Sequence, residues 1–417
     1  MSPQERIDCD VLVVGAGMVG AAAAGLLARS GYSVAVIEHH EPAAFDVSQP
    51  VGLRVSAISP GSAAVLNETG AWKQVLNSRH RHYREMRVED RDESSVLTFQ
   101  AAEFGLDTLG TIVENDLVQW ALWQALSMTA GVDVHCPDRL AEIDFIDGLP
   151  QARLESGKRV RARLLVGADG ADSRVRRLLG IGSDHWEYGQ MGVVGVVHGA
   201  RPNPGVAWQR FVDGGPVALL PLADGASSLV WTCPEARAKE LLQLDDEAFL
   251  FELGSAVAGS PDHWPGEPKA IGPRAAFPLT MRLSERYRGR RSVLLGDAAH
   301  VMHPLAGQGV NLGLLDAAAL AETLLAARRD GVDCGDDTVL RRYDRWRRSE
   351  AEVMCRGVHG LRGLFLPQGL GLLRRVGLGL VGRSWTLREA FIRRAAGQNS
   401  NAPALARGKT LAGLLRP

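Results

Sequence analysis

Residues 10–38 leave this chain little freedom. An apolar run from Asp10 to Val14 ends in Gly15-Ala16-Gly17-Met18-Val19-Gly20, an alanine-rich stretch follows to Ser30, Gly31 interrupts it, and a second apolar run ends in Glu38. The pattern predicts a strand, a helix from Met18 to Ser30 and a second strand from Ser33 to Ile37, which together form a βαβ unit with parallel strands. Each glycine has a mechanical reason in such a unit. Gly15 permits the tight turn, Gly17 lets a pyrophosphate approach the backbone, and Gly20 lets the helix pack close to the strand, while the helix N-terminus offers amides and a positive dipole end. Glu38 stands where a carboxylate accepts from the two hydroxyls of an adenosine ribose. It also repels a 2′-phosphate, which favours FAD or NAD over NADP. Gly377-Leu378-Gly379-Leu380-Val381-Gly382 has the same spacing, but it follows Leu372–Val376, which reads as helix, and lacks a βαβ frame. It reads as a close-packed stretch of a C-terminal helix.

The α/β pattern is interrupted and then resumed. Helical patterns cover Pro60–Thr69 and Glu114–Met128, and a strand pattern at Arg163–Val166 runs into Gly-Ala-Asp-Gly. From Ile181 to Pro273 the signal changes to short β-rich runs (Gly192–Val197, Ala207–Val212, Val217–Leu220, Ser227–Trp231) separated by Gly, Pro and Asp, which predicts an inserted antiparallel sheet. Ser292–Leu295 then reads as a strand, and Val310–Arg329 as a long helix. The expected architecture is α/β: a discontinuous Rossmann-like FAD-binding domain with a parallel sheet (1–78, 111–182, 273–330), an antiparallel β substrate domain (79–110, 183–272) and C-terminal helices (331–417). Helix-like segments are expected at Thr338–Arg356 and Gly369–Ala396, and a loose tail from Gly397.

Charge divides the chain unevenly. From Arg341 to Pro417 there are sixteen Lys/Arg against four Asp/Glu, although the whole chain carries a formal net charge of -1. Five scattered cysteines, with no C-x-x-C pair, argue against a disulfide framework or a thiolate zinc site and suit a reducing compartment. No metal site is expected. Without a leader pattern or an uninterrupted apolar stretch of about 18 residues, a cytoplasmic protein with no spanning helix is expected.

Two further strings narrow the function. Leu164 to Arg176 contains Gly167-Ala168-Asp169-Gly170, and Ser292 to Gly313 contains Gly296-Asp297-Ala298-Ala299-His300 and His303-Pro304-Leu305-Ala306-Gly307-Gln308-Gly309. With the glycine loop, these residues resemble the single-component aromatic hydroxylases of the para-hydroxybenzoate hydroxylase type, whose signature is a GxGxxG, a DG and a GD motif in this order. Within that superfamily the chain looks most like the ubiquinone-biosynthesis hydroxylases, closest to the 2-polyprenyl-3-methyl-6-methoxy-1,4-benzoquinol hydroxylase branch. Ser48-Gln49-Pro50, Arg54 to Ser59, Val113-Glu114-Asn115, Phe277-Pro278-Leu279 and the run from Gly296 to Asp316 carry that likeness. Leu315 departs from it, standing where the family more often has a polar residue, and nothing beyond Gly397 matches.

The resemblance implies FAD as cofactor, with Asp297 on a ribityl hydroxyl, Asp169 and Gly170 near the pyrophosphate, and backbone amides at Gly309, Val310 and Asn311 facing the isoalloxazine. Arg54 and Gln119 match positions that contact FAD. NADH or NADPH would reduce the flavin transiently, since no second nucleotide fold is present. Dioxygen would then form a flavin C4a-hydroperoxide that hydroxylates a polyprenylated phenol or quinol. The cofactor carries that chemistry, so no catalytic base is assigned; Pro221, His303 and Pro304 are the catalytic candidates, and the resemblance implies that Pro221 and Phe277-Pro278 order the ring. His300 and His303 read first as turn or packing residues. Trp208, Phe211, Leu220, Pro221 and Trp231 are expected to offer an apolar substrate surface.

Arg356, Arg362, Arg374, Arg375, Arg383, Arg388, Arg393 and Arg394 alternate with leucines and aromatics, the composition of a cationic amphipathic surface. Peripheral contact with a membrane or a quinone-biosynthesis complex through 356–394 is therefore expected, with pairing to the acidic body as the other reading. A homo-oligomer is allowed for; nucleic acid is not an expected partner. Other readings are a flavin monooxygenase of another aromatic secondary metabolite and an NAD dehydrogenase, which would leave the DG and GD motifs idle. A flavin-dependent halogenase lacks support because its W-x-W-x-I-P string is absent, and a non-catalytic flavoprotein assembly factor would not be bleached by NAD(P)H.

Overall fold

In the computed structural model the described residues are 8–90, 96–258, 267–302, 309–365 and 384–415. The expected βαβ unit sits at the centre of the first sheet. Strands β1 (Cys9–Val14) and β2 (Val34–Ile37) are parallel and flank α1 (Met18–Arg29) in sequence; β8 (Val132–His135) extends β2, and on the other side β11 (Arg159–Gly167) and β19 (Ser292–Leu294) continue the parallel array to the short β18 (Arg288–Gly289). Val11, Leu12 and Val13 are fully buried, as a strand covered on both faces requires. The hairpin of β9 (Leu140–Ile146) and β10 (Leu149–Leu154) grows off β11.

A second sheet carries the inserted β-rich segment. Its order runs from β20 (His300–Val301) through β17 (Ala275–Ser284), β12 (Ser183–Gly199), β15 (Ser227–Pro234), β14 (Gly215–Pro221) and β13 (Val206–Val212) to β5 (Glu85–Glu89) and β6 (Val96–Gln100); β16 (Pro268–Ile271) joins β12. The expected short strand at Gly192–Val197 is the middle of a 17-residue one. It pairs with β15 along one edge and with β17 along the other. β3 (Val55–Ile58), β7 (Gly110–Glu114) and β4 (Arg81–Tyr83) form a small third sheet.

Helices complete the layers. α2 (Pro60–Thr69), α3 (Trp72–Leu76) and α4 (Asn115–Ser127) pack with α1, α5 (Arg174–Leu178) follows the DG turn, and α6 (Glu235–Gln243) and α7 (Asp246–Val257) cover one face of the second sheet. α8 (Gly309–Arg329) is long and apolar enough to cross a membrane, but most of it is buried against α1, α2 and α9 (Asp337–Phe365), which makes it a core helix of this fold.

The C-terminal region differs from expectation. α10 (Trp385–Ala395) is followed by a segment that is not loose: Ala402, Leu405 and Ala406 are buried, and α11 (Leu411–Leu415) closes the described chain. Glu322 accepts from the Leu405 amide (2.8 Å), Glu68 from the Leu411 amide (2.8 Å), and Trp346 donates to the Asn401 carbonyl (2.8 Å). The segment is apolar but non-periodic, so only tertiary contacts reveal its role. Nor is the described part of the basic region a free cationic surface. Arg388 pairs with Glu103 (2.6 Å), Arg393 with Glu389 (2.9 Å) and Arg394 with Glu350 (2.6 Å), while exposed Arg356 lies 3.8 Å from Glu352. Arg374, Arg375, Arg383 and the decoy Gly377–Gly382 lie outside the described residues.

Candidate active site

Three parallel strands end side by side. Val14 of β1 is level with Gly167 of β11, and Gly167 with Leu294 of β19, so the glycine loop, the Asp169-Gly170 turn and the Gly296-Asp297 turn emerge together at the carboxyl edge of the sheet. That edge is where open parallel sheets bind ligands. Ile37 of β2 is level with Val14 on the other side and delivers Glu38.

The three loop glycines do different things. Gly15 has φ +95°, and a Cβ there would stand 2.5 Å from the Ala168 carbonyl oxygen. At Gly20 a Cβ would fall 1.9 Å from the Gly15 oxygen, so the helix could not seat. Gly17 is different: a Cβ would meet nothing within 4 Å. Gly17 is also the N-cap of α1 and makes no side-chain cap bond, leaving amides that no side chain satisfies facing open space. Glu38 accepts from the amides of Ala16 (2.5 Å) and His39 (2.7 Å), tying the loop to β2. Gly15, Glu38, Arg139, Asp169 and Arg174 line a cleft of about 320 Å³.

Asp169 itself is largely spent on structure. Its carboxylate accepts from Ser173 Oγ (2.5 Å) and from the amides of Arg174 (2.7 Å) and Val175 (3.0 Å), capping α5. Gly170, at φ +81°, turns instead into a second, larger cleft. Arg176 is a residue the sequence reading passed over. Buried, it donates to the carbonyls of Ala298 (2.8 Å) and Ala171 (2.9 Å), bolting the DG turn to the GD turn. A charged residue inside a short helix beside both motifs was the available signal.

Asp297 opens to the second cleft, yet its surroundings are apolar. Burial of those surroundings raises its carboxyl above the usual range, partly offset by His300 and Arg54. Below it lies a fully buried network. Asp316 accepts from His300 Nε2 (2.6 Å), Arg347 Nε (2.7 Å) and the Gly296 amide (3.1 Å), so it supports the GD turn from beneath. Burial alone would raise the Asp316 carboxyl, but Arg347 and His300, through electrostatic interaction and hydrogen bonds, hold it below the usual range. His300 is 1% exposed and packs 5.7 Å from the Tyr287 ring, in keeping with a packing residue. His303 and Pro304 lie outside the described residues.

The second cleft has a volume of about 440 Å³, and its lining includes Gly17, Arg54, Gly170, Phe277, Pro278 and Asp297, together with Gly309 and Val310 at the start of α8. Arg54 is exposed, with its guanidinium 5.7 Å from the Phe277 ring centre. The Asn311 side chain is engaged in the frame: it donates to the Ala57 carbonyl (2.8 Å) and accepts from the Ser59 amide (2.9 Å), holding β3 against α8. Gln119 is half-buried on α4 and lines neither cleft. Arg79, also unforeseen, pairs with Glu114 (2.9 Å) and donates to the Val47 and Gln49 carbonyls, which fixes the loop that leads to Arg54.

The expected substrate surface is split by strand alternation. Ala218 and Leu220 of β14 face an apolar cavity, whereas Val217 and Leu219 face α6 and α7. Pro221 follows that alternation: it is buried at the strand end and lines neither the second cleft nor the apolar cavity. Trp231 packs on Phe249 (6.1 Å) at the helix face, while Trp208 reaches the cavity. Phe211 lies on β13 and lines neither space.

These two clefts fit an FAD molecule: unspent helix amides at Gly17, a carboxylate on the adenosine side, and a second acid with an open helix start, at Gly309, on the flavin side. A family model described as FAD binding domain matches residues 8–357, and the chain belongs to that family. It is an FAD-dependent monooxygenase. It is 38% identical over 393 residues to the 3-demethoxyubiquinol 3-hydroxylase of Escherichia coli (93% of this chain, 98% of that one) and 34% identical to the mitochondrial ubiquinone biosynthesis monooxygenase of Homo sapiens (88% of each). Among solved structures, Pseudomonas aeruginosa PqsL superposes with a TM-score of 0.73 at 26% identity, over 89% of this chain and 99% of that one.

Proposed function

We propose that the protein hydroxylates the ring of a prenylated benzoquinol, or its phenol precursor, using NADH or NADPH and dioxygen. The observation that carries this reading is the alignment of three motif turns at one sheet edge, over a cleft whose far wall is the inserted sheet. The names of the relatives supply the ubiquinol class of substrate.

Bound FAD, reduced by the nicotinamide, supplies activated oxygen for transfer of one atom to the ring. The chain does the rest. Gly17 and the start of α1 would hold the pyrophosphate, Glu38 the ribose, and Asp297 the ribityl chain. Gly309 and Val310, at the start of α8, line the same cleft, where the helix N-terminus would stabilise negative charge on a bound flavin. Phe277, Pro278 and Leu279 place apolar surface on the opposite wall, so water is kept from the reacting atoms. Arg54, over Phe277, is the cation nearest that wall among the lining residues.

Contact with the bilayer that holds such a substrate rests on apolar side chains rather than charge. Trp385, Leu387 and Phe391 are exposed on α10, whereas the described arginines near them are paired. The reading of the flavin site is tested by Asp297→Ala, expected to purify largely without FAD; a variant that retains stoichiometric FAD at wild-type affinity would overturn it.

A further inference from the structure

The flavin-side cleft does not end at the ring position. Val55 and Val230 line it and also line a second cavity of about 190 Å³, so the two spaces meet at these valines. Around that cavity Tyr83, Ala218 and Leu220 form one side, and Phe391 and Ala395 of α10 with its C-cap Ala396 the other. Hydroxylating an aromatic ring needs no such room. Few polar partners await a water molecule or a ring hydroxyl there, and both would be left short of hydrogen bonds. A hydrocarbon chain loses nothing on entering and gains by leaving water.

The wall supplied by α10 is held firmly at both ends. At its C-terminus the Gly61 amide donates to the Ala396 carbonyl (2.8 Å). The approach is so close that a Cβ on Gly61 would stand 2.6 Å from the Gly397 oxygen. Nearer its start, Trp385 stacks on Phe104 (5.3 Å), Phe391 on Phe99 (5.7 Å), and Arg388 donates to the Thr98 carbonyl (2.8 Å) and Glu103 (2.6 Å). A helix far along the chain from the flavin motifs is thereby made part of the reaction chamber. At the cavity it presents two alanines, the smallest side chains that keep a helix regular.

We propose that this cavity seats the ring-proximal isoprenoid units of the substrate, and that α10 is its specificity-determining wall, with Ala395 and Ala396 setting the bore. The proposal rests on the reading of the substrate as a prenylated quinol. Both are tested in the FAD-loaded enzyme with two soluble quinols that differ only in carrying a geranyl or a methyl group. Ala395→Phe fills the cavity from the helix side, and Ala218→Phe fills it from the sheet side should the first variant fail to fold.

Each variant is expected to retain FAD, to hydroxylate the methyl quinol within about twofold of wild type, and to lose at least about tenfold in kcat/KM for the geranyl quinol. Unchanged geranyl kinetics in both variants, or equal losses on both quinols, would overturn the chamber assignment. So would a wild-type enzyme that prefers the methyl quinol, although quinol hydroxylation itself would then stand. Failure of wild type on both quinols overturns the substrate reading and the chamber with it.

Discussion

Replacing Asp316 with asparagine tests the support beneath the GD turn. The residue is fully buried and accepts from His300, Arg347 and the Gly296 amide; asparagine keeps the shape but turns an amide toward donors and leaves Arg347, 1% exposed, without its counter-ion. Breaking a buried pair in this one-sided way costs about 3–5 kcal/mol. For a chain of 417 residues, an unfolding entropy of about 2.1 cal/mol/K per residue converts that to a fall in Tm of roughly 3–6 °C. Thermal unfolding of the FAD-bound protein, followed by circular dichroism and by release of flavin fluorescence, measures it. The pH dependence has a definite sign. Because the native carboxyl is held below its unfolded value, its contribution is present above the ordinary carboxylate range and is lost as pH falls through the native value. The gap between wild type and variant should therefore narrow on acidification. A double replacement with apolar residues, Asp316→Leu with Arg347→Met, should recover part of the loss. A shift below about 1 °C near neutral pH, or a gap that widens in acid, would refute the reasoning.

Two glycine substitutions should separate folding from cofactor binding. Gly20→Ala, with its 1.9 Å clash against the Gly15 oxygen, should give little folded protein, whereas Gly17→Ala, with open space and φ -61°, should fold but bind FAD at least about tenfold more weakly by fluorescence titration. On co-sedimentation with liposomes, binding should be similar for neutral and anionic vesicles and should fall on Trp385→Ala with Leu387→Ala. Binding to anionic vesicles alone, abolished by salt, would return the role to the arginines.

What could be read in the sequence was mostly local. Gly15 to Gly20 and Glu38 are linked by a spacing of a few residues and one helix, and Pro60–Thr69 carries its own cap and stop signals, so their geometry follows from short-range rules. The β9–β10 hairpin had a readable signal too, Asp147-Gly148 between alternating residues, with both at positive φ in the structure. The cap of α7, Asp245 accepting from the Ala248 amide (2.8 Å), was also readable, although the β-rich runs of Ile181–Pro273 point to a sheet and not to a helix there.

Other features had no local trace. The level ends of β1, β11 and β19 depend on pairings across more than a hundred residues, and nothing in Trp385–Ala395 announces that it walls a cavity bounded by β14. Pro221 was misplaced for a related reason. A β-strand alternates, and the choice of which set faces the cavity is made by the two helices that claim the other face.

The central claim is that this site transfers one atom of dioxygen to an aromatic ring, and isotope tracing tests it most directly. Purified FAD-loaded enzyme, NADH or NADPH, the methyl quinol and labelled dioxygen in unlabelled water should give a hydroxylated product carrying one labelled oxygen, with one nicotinamide oxidised per product formed. Product oxygen drawn from labelled water, or nicotinamide oxidation that yields only hydrogen peroxide with every quinol offered, would contradict it.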